Sequence, residues 1–129
     1  MRRHRVRPAP APAQGEHYDL VSLFDHLNKQ YFADALPRPH IAWSSRNWRR
    51  QFGCYDPGPN QIVLNRRMDK PGVPQFVVEY VLYHEMLHVK HPTRRSGCSL
   101  ISHSPEFRNE EKRYEHFHAA RKFLDQLAR

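Results

Sequence analysis

The chain has 129 residues, of which 39% are hydrophobic and 26% charged, the balance of a single soluble domain with one core. No apolar run approaches the roughly eighteen residues of a membrane span, and the basic N-terminus lacks the apolar stretch of a secretory signal, so an intracellular, cytoplasmic protein without membrane contact is expected. The net charge is +8, and Arg2, Arg3, Arg5 and Arg7 supply four of those charges before any acidic residue occurs.

Residues 1–15, MRRHRVRPAPAPAQG, are rich in Pro, Ala and Arg without periodicity and read as a flexible basic arm, with the folded domain over 16–129. Such an arm can bind DNA or RNA by counterion release, or simply solvate the terminus. Leu20, Leu23, Phe24, Leu27 and Tyr31 recur at helical spacing and predict an amphipathic helix over 17–33, which the Leu36-Pro37-Arg38-Pro39 stretch ends. The period then changes. His40–Ser44, Phe52–Tyr55 and Gln61–Asn65 are short runs of β-formers, and Asp56–Asn60 between the last two reads as a hairpin loop.

Between the first two strands, Arg46, Trp48, Arg49 and Arg50 interleave an aromatic ring with cations, as single-strand binders do. They are candidate nucleic-acid contacts; the plainer reading is a solvated loop, with Trp43 turned into the sheet core. A second helix is predicted from Pro74 to Lys90, ended by Pro92, and a loop containing Thr93–Gly97 follows it. The last helix starts at Ser104-Pro105-Glu106, a good N-cap followed by a good first residue, and Phe107, Tyr114, Phe117, Leu124 and Leu127 give it an apolar stripe. The sum is an α+β domain: a small three-stranded, mostly antiparallel sheet packed against about three helices. Cys54 and Cys98 form no C-x-x-C pair, which excludes a zinc ribbon; a single disulfide between them is one reading, and two free buried thiols, as a reducing compartment favours, are the expected one.

Chemistry concentrates in the second helix. His84-Glu85-Met86-Leu87-His88 reads H-E-x-x-H, which puts both imidazoles on one helix face, one turn apart, within reach of one ion. The surrounding YVLYHEMLHV is otherwise apolar, so the segment is predicted to be buried. Burying His84, Glu85 and His88 without partners would cost several kcal/mol, and a metal accounts for all three together. Glu85 suits the base for a bound water. A third ligand is required. His91 lies roughly 10 Å along the axis from His84, too far to share its ion. His103, just before the N-cap of the last helix, is better placed; Glu106 and Glu110 are the alternatives.

The run of "YFADALPRPHIAWSSR", "FGCYDPGPNQIVLN", "VLYHEMLHVKHP" and "HSPEF" resembles the SprT-like family of zinc metalloproteases over roughly residues 18–127. The resemblance implies a zincin-like fold with H-E-x-x-H on the central helix, one Zn2+ per chain held by His84, His88 and His103, and Glu85 as the catalytic glutamate. It also implies a protein or peptide substrate, associated with nucleic acid in the best-known relatives. The C-terminal zinc ribbon that many SprT-like proteins carry cannot be made from two isolated cysteines. Two other readings stay open: a nucleic-acid-binding module with a structural zinc, and a zinc hydrolase of a non-peptide substrate. Tyr114, Arg108, His116 and His118 are candidate oxyanion donors, and Gln61–Asn65 is a candidate edge for an extended substrate.

Overall fold

The structure, a computed structural model, describes residues 9–91 and 103–128. The loop expected at Thr93–Gly97, Cys98 and the four arginines of the arm lie outside the described residues. Two helices, one amphipathic and one apolar, supply half of the core. Asp19 caps α1 (Leu20–Tyr31) by accepting from the Val21 N–H, and the helix buries Leu20, Leu23, Phe24 and Leu27. α2 (Gln75–Lys90) is buried along nearly its whole length, from Val77 to His88. Pro74 stands one place before it as the N-cap rather than inside its first turn.

Among the described residues the sheet has four strands, in the order β1 (Ala11–Pro12), β2 (His40–Trp43), β4 (Gln61–Leu64), β3 (Gly53–Asp56). The β3–β4 hairpin is antiparallel, as its turn chemistry predicts. β2 instead pairs parallel with β4, Ile41 opposite Ile62 and Trp43 opposite Leu64, so the sheet is mixed and has one strand more than the three expected, with its other two pairings antiparallel as predicted. The loop after β2 carries the chain past the edge before it returns as β3, and β4 ends between β2 and β3. Gln61–Asn65 is therefore an inner strand and not the edge expected of it; among the described residues the edge on that side is β3. Asn65 fixes that crossover. It is fully buried, bonds the carbonyls of Trp48 and Gln51 through its amide nitrogen, and accepts from the N–H groups of Trp48 and Arg67.

Order begins earlier than the composition of the arm suggests. Ala11–Pro12 pairs antiparallel with Ala42 and Trp43. The Asp69 carboxylate then accepts from the N–H groups of Glu16, His17 and Tyr18, and the Trp43 indole donates to the Tyr18 carbonyl. A proline at an edge strand has no ladder bond to lose, so a Pro-rich segment can close a sheet that periodicity alone would not extend to it. Trp43 is 2% exposed, the core position expected of it.

The predicted last helix is two. α3 (Pro105–Glu111) starts with Ser104 accepting from the Phe107 N–H, and α4 (Phe117–Leu127) follows a turn at residues 112–116. No Gly or Pro marks the break. Tyr114 explains it: the ring packs against Tyr31, Tyr80 and Tyr83, and its hydroxyl bonds the Phe76 carbonyl and Glu79. Burying that ring with its hydroxyl satisfied outweighs continuation of the helix.

Candidate metal centre

α2 presents His84 and His88 one turn apart, and the chain entering α3 presents His103 to them. The three ring centroids lie 5.0–5.1 Å apart, and one nitrogen from each falls within 4.8 Å of the others. His88 Nε2 and His103 Nε2 are 3.3 Å apart. Two nitrogen ligands of a tetrahedral ion, each bonded at about 2.0–2.1 Å, are separated by about 3.4 Å. The pair thus has the spacing of two ligands of one ion. Phe107 packs on both rings, at 4.5 Å from His88 and 4.6 Å from His103, and holds the second helix's contribution in register with the first.

The donor set fits zinc: three imidazole nitrogens with a fourth position open. Burial, with the charges of His84 and His103, pushes His88 down to about 3, so the ring is neutral at neutral pH and one nitrogen lone pair is free for a metal. Burial likewise lowers His103, helped by His84. His84 differs. Burial pulls its pKa down, but the hydrogen bond to Glu111 and the charges of Glu85 and Glu111 outweigh that and leave it raised, so proton and metal compete for the same nitrogen.

Glu85 is 6% exposed and lies outside the histidine cluster. Burial raises its carboxyl to about 7, with His84 pulling down, Glu111 pushing up and the Tyr55 backbone N–H stabilising the anion. That bond ties the side chain to β3. Gly53 makes the approach feasible: a Cβ there would stand 2.8 Å from Glu85 Oε2 and 2.8 Å from Val81 Cγ1. The glycine is needed for space, not for an unusual backbone angle.

The other candidates are placed elsewhere. His91 hydrogen-bonds Glu110 at 2.9 Å, and Glu110 also takes Lys90 at 2.9 Å, so neither joins the triad. Glu106 is exposed on α3. Tyr114 is a core tyrosine whose hydroxyl is already engaged. His116 and His118 are exposed and pack on Phe76 and Phe117. Of the four suggested oxyanion donors, Arg108 is the one whose charge is felt at the cluster, where it lowers His103. Arg46, Arg49 and Arg50 are exposed, and Trp48 is half-buried on the same loop. Cys54 is disulfide-bonded, which overturns the expectation of two free thiols.

Sequence reasoning missed Glu111, 7% exposed, which contacts His84 Nδ1. It lies four residues beyond Phe107 on the buried face of α3. An acidic residue at a stripe position was the readable signal.

The chain is thus an α+β domain with a mixed sheet and a buried helix carrying two histidines, joined by a third histidine just before the next helix. Residues 20–123 match the SprT-like family, and the chain belongs to it. Among solved structures it is similar to the metallopeptidase zymogen jannalysin of Methanocaldococcus jannaschii, with a TM-score of 0.62 at 16% identity, covering 85% of this chain and 98% of that one. No curated protein matches the sequence. No helix among the described residues is long and apolar enough to cross a membrane.

Proposed function

We propose that the protein is a zinc-dependent metallopeptidase, with His84, His88 and His103 as the metal ligands and Glu85 as the base. The observation that carries this is the gathering of three histidine nitrogens beside a buried glutamate that is not one of the ligands. A structural site has no use for such a carboxylate, which disfavours a zinc-stabilised binding module. When bound, zinc acidifies the attacking water and polarises the scissile carbonyl. Glu85 would accept the water's proton on its carboxylate and return it to the leaving amine. Among the described residues β3 has β4 on one side only, so an extended peptide can lie along its other edge, above Glu85. That edge favours a peptide over a small hydrolysable ester. The test is zinc content, expected at one per chain, alongside cleavage of an unfolded protein by the intact chain and by Glu85→Gln.

Gly53 supplies a sharper check of the edge. Gly53→Ala should fold and keep its zinc but lose about ten- to a hundred-fold in kcat/KM, because the new methyl displaces Glu85 or lifts β3 from it. Full activity in that variant would show that β3 does not set the position of the base.

Nucleic acid is proposed as a second partner, through the exposed Arg46, Arg49 and Arg50 beside Trp48 and through the N-terminal arginines. Removing residues 1–8 deletes Arg2, Arg3, Arg5 and Arg7 but spares β1, so zinc content and melting temperature should hold. Affinity for single-stranded DNA should fall steeply with salt in the intact chain and less steeply in the truncation, since fewer counterions are released. Trp48→Ala should weaken that binding by about 1–3 kcal/mol if the ring stacks on a base. No retention of the intact chain on single-stranded DNA at low salt would remove this partner.

A further inference from the structure

We propose that Glu111 is a positioning residue of the metal centre, holding His84 by its Nδ1 so that Nε2 faces the ion. The inference rests on the three-histidine reading above and concerns what lies behind it. Glu111 comes from α3, the element that also brings in His103, and its Oε2 meets His84 Nδ1. It is not a member of the ligand cluster.

Groups from two other helices converge on this carboxylate. The Tyr80 hydroxyl of α2 hydrogen-bonds it, and Arg121 Nη1 of α4 stands 3.9 Å from Oε1. A buried carboxylate held from several sides is an acceptor with little freedom to turn. An imidazole that donates Nδ1–H to it is locked in the tautomer whose Nε2 carries the lone pair. The carboxylate also makes that nitrogen a stronger donor to a metal.

The neighbouring Glu110 gives the contrast. It sits on the same helix, yet spends its oxygens on Lys90 and His91, away from the triad. Two adjacent glutamates thus divide between tying down the end of α2 and orienting a ligand on it. Burial separates them, with side-chain exposures of 20% for Glu110 and 9% for Glu111.

The experiment is competition for zinc against a chromophoric chelator, with the visible spectrum of the cobalt-loaded protein as a second readout. Glu111→Gln is nearly isosteric and should stay folded. It should bind zinc about ten- to a hundred-fold more weakly and shift the cobalt absorption bands, because the amide neither anchors the imidazole as an anion does nor enforces one tautomer. Glu111→Asp should recover part of the affinity, and Glu110→Gln should match the wild type in both readouts. If Glu111→Gln binds zinc within about threefold of wild type with an unchanged cobalt spectrum, Glu111 is a packing residue and the inference is wrong. Failure of the wild-type chain itself to bind zinc would overturn the metal centre, a separate result.

Discussion

Glu85→Gln protein should keep its zinc and lose peptide hydrolysis by about 10²–10⁴-fold, the usual contribution of a positioned general base. The amide has nearly the same shape, accepts from the Tyr55 N–H as the carboxylate does, and cannot take a proton. Zinc analysis and a protease assay on the same sample separate the two outcomes. Loss of zinc would make Glu85 a ligand, and undiminished cleavage would end its role as base. The metal-free proteins should also differ in stability with pH. The folded carboxyl is raised from 4.5 to about 7, so the folded state holds its proton more tightly than the unfolded chain does. Wild-type stability is therefore lost as pH climbs from the ordinary carboxylate range through about 7. Glu85→Gln escapes that loss. Its advantage should be small at pH 4–5 and reach roughly 2–3 kcal/mol by pH 8, measured by chelator-treated denaturant melts.

The second large effect is expected at His103. His103→Ala should abolish zinc retention, because two histidines one turn apart do not hold the ion firmly alone. With free zinc a thousandfold above its dissociation constant, binding stabilises the wild-type fold by about 4 kcal/mol. A chelator should therefore lower the melting temperature of the wild type by many degrees and leave that of His103→Ala unmoved. Glu106→Ala and Glu110→Ala should retain zinc, since one lies exposed on α3 and the other is tied to Lys90 and His91. Zinc lost from either glutamate variant but kept in His103→Ala would reassign the third ligand.

Local patterns survived folding wherever one short segment determined them. The spacing of His84 and His88 depends only on the helix being a helix, and the apolar run around them required it to be buried; both follow from YVLYHEMLHV. The three longer strands were marked by their β-formers and by the Asp56–Asn60 turn. Ser104 caps α3 as its side chain dictates.

What the sequence could not decide was which distant groups meet. The parallel pairing of β2 with β4 depends on Asn65, whose bonds reach fourteen and seventeen residues back along the chain. Ala11–Pro12 joins the sheet because Asp69, more than fifty residues away, gathers the backbone behind it. The division of the last helix follows from a pocket of tyrosines contributed by α1 and α2. Glu111 and Gly53 are the same case at the metal centre. One is an acid on a buried helix face and the other a glycine in a strand, and neither has chemical meaning until packing sets them against His84 and Glu85. Periodicity reports which face of an element is covered; only the tertiary contacts determine what covers it, because a hydrogen bond or a van der Waals contact acts over a few ångströms in space and takes no account of distance along the chain.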